Sequence, residues 1–108
     1  MSVIQSVNCD ILDSLIKENR VVVCKFFAPW CGYSQRFKSV YEDIAKEIEG
    51  PMYIEVNVDD CKNSSKVHGI KRLPTTKVYC DGEVESFVGN KKAAITDYIR
   101  LKLSQTEA

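Results

Sequence analysis

Phe26-Phe27-Ala28-Pro29-Trp30-Cys31-Gly32-Tyr33-Ser34 marks the place where the chain changes from one kind of structure to another. Upstream, Val21-Val22-Val23-Cys24-Lys25-Phe26-Phe27-Ala28 is a near-continuous apolar run, as in a strand covered on both faces. Pro29 ends it. Downstream, Phe37, Val40, Tyr41, Ile44, Ala45 and Ile48 recur at close to helical period. A long helix is expected from about Gly32 or Ser34 to Glu49, stopped by Gly50-Pro51. Cys31 therefore stands at a strand-to-helix turn. Free backbone N–H groups and the positive end of the helix dipole converge there and favour thiolate over thiol. Cysteines so placed have their pKa lowered from ~8.5. Gly32 allows close backbone approach, and Trp30 supplies an aromatic wall. A packed, inert cysteine would need neither neighbour.

Working outward, Val3 to Val7 can form a short first strand. Asn8 is the expected N-cap of a helix carrying Ile11, Leu12, Leu15 and Ile16 on one face. Met52 to Val58 reads as a strand, and Asp60 to Val67 as a short helix ending near Gly69. Thr75 to Cys80 and Glu83 to Val88 flank Asp81-Gly82, a strong hairpin signal. Ala94, Ile95, Tyr98, Ile99 and Leu103 mark a terminal amphipathic helix. The order is β-α-β-α-β-α-β-β-α. Helices between the early strands imply parallel pairing with right-handed crossovers, and the late hairpin adds an antiparallel pair. The expectation is an α/β chain with a mixed central sheet sandwiched between helices.

A length of 108 residues leaves room for one core, so residues 1–108 are expected to form a single domain. Hydrophobic residues at 44% and charged residues at 28% describe an ordinary globule. Fifteen basic residues balance fifteen acidic ones, which gives no electrostatic reason to expect nucleic acid or a membrane as partner. No apolar run approaches the ~20 residues of a bilayer span. Neither end shows a targeting or retention pattern, and the expected location is cytoplasmic. The five cysteines, Cys9, Cys24, Cys31, Cys61 and Cys80, are odd in number and irregular in spacing. That arithmetic favours free thiols and offers no structural zinc pattern, so no metal or cofactor is expected. Cys24 and Cys80 read as core fillers in strands, while Cys9 and Cys61 are candidates for exposure, with oxidation or dimerisation through Cys61 as a possible use. His68 has no partner motif.

The segment Phe26-Phe27-Ala28-Pro29-Trp30-Cys31-Gly32 resembles the active-site entry of the thioredoxin family, including its protein disulfide isomerase branch. Val56-Asn57-Val58-Asp59, Ile70-Lys71-Arg72-Leu73-Pro74-Thr75, Asp81-Gly82 and Val88-Gly89 resemble further family landmarks in register, so the likeness covers essentially the whole chain. It implies a thioredoxin fold and thiol–disulfide exchange, with Cys31 attacking a substrate disulfide to form a mixed disulfide. It implies that Pro74 is cis and faces Cys31, and that the backbone at Leu73 and Thr75 pairs with an extended substrate segment. Trp30, Gly32, Tyr33, Leu73, Val88 and Gly89 would form the docking patch, and Asp59 would hold the Trp30 indole. Implied partners are disulfide-containing proteins and a thioredoxin reductase-like electron donor, with the chain a monomer or weak dimer.

Two departures change the chemistry. Ser34 stands where the family has its resolving cysteine, and a serine hydroxyl cannot attack or leave in thiol–disulfide exchange. The chain as written can form a mixed disulfide and has no neighbouring thiol to release it. Ser34 is either an engineered cysteine-to-serine change or a natural feature of a one-thiol protein. Lys25 stands where the family has a buried acid, and Glu55 where a facing lysine is common. The pair is swapped, and each side chain can satisfy the other with reversed sign. The alternative is Lys25 solvated at a strand end. Near Cys31, a Lys25 ammonium would also favour the thiolate. The leading function is a protein-disulfide reductase of the thioredoxin type. A second is a binding or scaffold module that uses the same groove without turnover. A third follows from the likeness of Cys31-Gly32-Tyr33-Ser34 to the motif of monothiol glutaredoxins, and implies glutathione-linked exchange or iron–sulfur binding.

Overall fold

The computed structural model describes residues 3–61, 66 and 68–105, with the Cys9 side chain outside the described set. Its elements are β1 (Ile4–Ser6), α1 (Cys9–Glu18), β2 (Val21–Phe27), α2 (Gly32–Glu47), β3 (Met52–Asn57), β4 (Thr75–Cys80), β5 (Glu83–Val88) and α3 (Lys92–Ser104), where α3 counts helices among the described residues. The helix expected over Asp60 to Val67 lies largely outside those residues. The described strands form one sheet in the order β1-β3-β2-β4-β5. β1, β3 and β2 run parallel, while β4 is antiparallel to β2 and β5 to β4. This is the mixed sheet that the strand–helix alternation implied.

Local chemistry sets the ends of the elements. Asn8 caps α1 by accepting a hydrogen bond from the Asp10 N–H at 3.0 Å. The Asp81–Gly82 turn carries positive φ at both residues, 50° and 85°, as a tight hairpin matched to strand twist requires. Gly50, at φ 122°, turns the chain between α2 and β3 in a conformation that side chains resist.

Strand alternation then divides the interior in two. On one face Val21, Val23, Tyr53 and Val78 pack against Phe37, Tyr41 and Ile44 of α2 and Ile95 and Ile99 of α3. On the other face Val22, Cys24, Phe26, Ile54, Val56 and Tyr79 pack against Leu12 of α1 and against Cys61. β2 is buried from Val21 through Phe26, which accounts for its apolar run. Each large side chain so buried contributes about 1.5–3 kcal/mol of transfer free energy. Tyr41 brings a hydroxyl into this core and places it 2.9 Å from the Val23 carbonyl and 2.7 Å from that of Ile54. Two residues depart from the amphipathic pattern: Ile11 and Ala94 are exposed. Among the described residues no helix is long and apolar enough to cross a membrane.

Cys24 and Cys80 are buried, free thiols, and burial raises the pKa of both. The expectation for Cys61 is corrected. It is 2% exposed, because its segment folds onto the apolar face formed by Phe26 and Val56 rather than lying in solvent, and it is disulfide-bonded rather than a free thiol. The Cys9 expectation falls on a side chain outside the described set.

Candidate active site

β2 ends at Phe27, and the chain turns through Ala28-Pro29-Trp30 with the Cys31 N–H bonded to the Ala28 carbonyl at 3.1 Å. Cys31 is the N-cap of α2, with extended φ and ψ of −88° and 118°. Its carbonyl accepts the first helical bond from Gln35 N–H at 3.0 Å. Apolar β2 and amphipathic α2 thus fix the sulfur at the open end of a helix. The thiol pKa is lowered, chiefly by the Ser34 backbone N–H and then by its hydroxyl. Partial burial opposes this, and the Tyr33 N–H and the Arg36 guanidinium add to the lowering.

Ser34 itself is 3% exposed, and its Oγ lies 3.4 Å from the Ala28 N–H as acceptor. The Oγ therefore takes a hydrogen bond from the turn and has its own proton left for the sulfur. The Arg36 guanidinium packs over the Tyr33 ring at 4.8 Å and acts on the thiol. Only side-chain direction along the helix could have revealed this.

The Leu73–Pro74 peptide is cis, and the Leu73 carbonyl oxygen lies 3.9 Å from Cys31 Sγ. The Pro74 carbonyl accepts from Gly89 N–H at 2.8 Å, and Thr75 pairs with Val88 across β4 and β5. Leu73, Pro74, Thr75, Val88 and Gly89 thus meet beside the sulfur. On the other side, the Trp30 indole donates to Asp59 Oδ2 at 2.8 Å. Trp30 and Tyr33 are each 69% exposed, and Val88 is 45% exposed, so large apolar groups surround the thiol in open solvent. A Cβ at Gly32 would meet Arg36 Nη1 at 3.5 Å, an ordinary contact. The chain therefore has room for a side chain at position 32.

Lys25 and Glu55 are paired neighbours in the parallel β2–β3 register, and Lys25 Nζ lies 3.2 Å from Glu55 Oε1. The Lys25 side chain is 4% exposed, while that of Glu55 is 23% exposed. The ammonium also sits over the Phe27 and Tyr41 rings, and Glu55 accepts a second bond from Ser6 Oγ at 2.6 Å. Lys25 is therefore inside and partnered, not solvated at a strand end. The pair borders a cavity of about 190 Å³ behind Ser34. The cation among the causes that lower the Cys31 pKa is Arg36, while the Lys25 charge is engaged by Glu55.

The thioredoxin family model matches residues 3–101. The chain belongs to the thioredoxin family. Thioredoxin of Echinococcus granulosus is 31% identical over 100 residues, covering 92% of this chain and 94% of that one. The protein disulfide-isomerase of Humicola insolens is 35% identical over 95 residues, which cover 83% of this chain and 19% of that much longer one. Among solved structures, Plasmodium falciparum thioredoxin superposes with a TM-score of 0.81 at 30% identity, covering 90% of this chain and 97% of that one. The five-stranded sheet and its flanking helices are the thioredoxin fold, and the family's shared chemistry is thiol–disulfide exchange. His68, which has no partner motif in the sequence, joins α1 to β4 through its ring in this thioredoxin fold. His68 Nε2 lies 3.4 Å from Asp13 Oδ1, and Nδ1 lies 3.0 Å from the Tyr79 hydroxyl. Partners so distant in sequence leave no local signal.

Proposed function

We propose that this chain carries out the first half of protein-disulfide reduction, with Cys31 as the nucleophile. The observation that carries the reading is Cys31 at the α2 N-terminus, its pKa lowered by Ser34 and Tyr33 N–H groups and by the Ser34 hydroxyl. The thiolate attacks one sulfur of a substrate disulfide, a new S–S bond forms to Cys31, and the other substrate sulfur leaves as a thiolate. Trp30, Gly32, Tyr33, Val88 and Gly89 receive the substrate surface, with Asp59 fixing the indole. The Leu73 and Thr75 backbone on either side of Pro74 lines the extended segment that carries the disulfide.

Ser34 occupies the place of a resolving thiol, so the mixed disulfide is not released from within. Its hydroxyl stabilises the Cys31 thiolate and cannot complete the exchange. Full turnover then needs an outside thiol, or a cysteine at position 34 and a reductase-type electron donor. The test is multiple-turnover reduction of a protein disulfide with a thioredoxin reductase and NADPH as electron source and no free thiol added. Ser34→Cys is expected to raise the rate at least tenfold over the Ser34 chain. No gain in a folded, reduced Ser34→Cys protein would overturn the assignment.

The Lys25–Glu55 pair favours a second reading, a binding module that uses the same groove without turnover. The Glu55 carboxylate that borders the cavity behind Ser34 is held by Lys25 and Ser6 and is not free to manage a resolving thiol's proton. This reading expects partner association to survive Cys31→Ala. Loss of association on that change points back to covalent capture.

A further inference from the structure

Beside the cis-proline loop lies a groove of about 330 Å³, lined by Lys71, Arg72, Thr75, Lys77, Ser86 and Val88, with Gly69 at its end. Three of these side chains are cationic and none is acidic. Lys71 and Arg72 are exposed, and Lys77 is partly buried in β4. Among the described residues, none of the three has a carboxylate partner, whereas Arg20, Lys25, Lys92 and Lys102 each do. Burial lowers the Lys77 pKa, as for a cation held against protein without a counter-ion.

The groove is continuous with the candidate active site. Thr75 follows Pro74, and Val88 faces Thr75 across the β4–β5 pair. Sheet order gives the site a polarity, because β3 and β4 lie on opposite sides of β2. Asp59, beyond the end of β3, flanks Trp30 with negative charge. Lys71, Arg72 and Lys77 flank the β4–β5 side with positive charge. The chain as a whole is neutral, so this asymmetry belongs to the site's surroundings and not to a general excess of base.

We propose that the groove selects substrates whose disulfide is followed, on the β4–β5 side, by an acidic polypeptide segment. The inference rests on Cys31 being the nucleophile and adds the class of disulfide it meets first. Carboxylates in the groove would find the planar guanidinium of Arg72, suited to bidentate pairing, between two ammonium groups. Trp30, Tyr33 and Val88 would cover the uncharged residues around the disulfide. Long-range attraction of this kind acts chiefly on the rate of encounter and is screened by salt.

The test uses three cysteine peptides activated as 2-pyridyl disulfides, with flanking residues acidic, neutral or basic. Attack by Cys31 on the peptide sulfur forms the mixed disulfide and expels pyridine-2-thiolate, which takes a proton from water and is read by its absorbance. No other reductant enters. At low salt the acidic peptide is expected to react about tenfold faster than the neutral one, and the basic peptide slower still. The ratio of acidic to basic rates should shrink toward one at ~0.5 M salt, and also in a Lys71→Gln/Arg72→Gln/Lys77→Gln variant. Equal rates for the three peptides, or a ratio indifferent to salt, would overturn the proposal. So would suppression of the reaction by a single-stranded oligonucleotide with no peptide preference, which would give the groove to nucleic acid. Release no faster than in Cys31→Ser, for every peptide, would instead refute the nucleophile assignment. The salt series needs no variant, so the proposal stays testable if the triple substitution fails to fold.

Discussion

At the scale of single residues, the chemistry concentrates in the donors around one sulfur. The Ser34 hydroxyl accepts from the Ala28 N–H and is free to donate to Cys31, so it helps to create the thiolate whose adduct it cannot release. Ser34→Ala is expected to move the pH profile of Cys31 alkylation upward, lowering the rate near pH 7 by about threefold to tenfold. Rates well above the thiol pKa should be unchanged. A profile that stays in place, measured with a neutral alkylating agent, would mean that the backbone N–H groups alone set the thiolate. Arg36→Glu is expected to shift the same profile in the same direction. The strand-to-helix junction made Cys31 legible in the sequence, because apolar pattern and helix period meet there. The part played by Arg36 was not legible. It depends on a guanidinium lying over Tyr33 and reaching back toward the helix end, which residue order does not encode.

At the scale of elements, the register of β2 against β3 decides whether a lysine can stand in the core. One residue of slip would send Lys25 and Glu55 to opposite faces. In register, the ammonium has a carboxylate at 3.2 Å and two aromatic rings, and Glu55 is shared with Ser6 of β1. Removing either partner of a buried pair leaves the other uncompensated. Because Lys25 is the more deeply enclosed, Glu55→Ala should destabilise more than Lys25→Met. Expected losses are about 2–4 and 1–2 kcal/mol in urea unfolding, discounted for the partial exposure of Glu55. The reverse order would show that solvent, not Glu55, supports the ammonium. The swapped pair could be anticipated from the two positions. The aromatic lining could not, since Tyr41 comes from α2. Boundaries were legible where turn chemistry is local, as at Asn8 and Asp81–Gly82, and less so where long-range packing decides, as at Cys61 and Ile11.

At the scale of the whole molecule, the two faces of the sheet are tied down by different means. α2 and α3 cover one face with large apolar side chains, while α1 on the other is also linked to β4 through Asp13, His68 and Tyr79. Burial lowers the His68 pKa below 6.5, with Asp13 opposing and Lys77 assisting. A lowered histidine pKa means that the unfolded chain binds the proton more readily. Stability contributed by neutral His68 is therefore full above pH ~6.5 and declines as the pH falls through and below that value. The thermal midpoint should drop more between pH 7.5 and 5.5 in the unsubstituted chain than in His68→Asn. Equal drops would assign the acid sensitivity to carboxylates alone. Topology was legible in the strand–helix alternation, but this tether was not, because its three residues come from separate segments. The most direct test of the account is intact-mass analysis after mixing the reduced chain with a disulfide-bonded peptide. The Ser34 chain should accumulate a one-to-one adduct mapped to Cys31, while Ser34→Cys should release both peptide thiols and end as an internal disulfide. No adduct at Cys31, or equal peptide release by the Ser34 chain without added thiol, would contradict it.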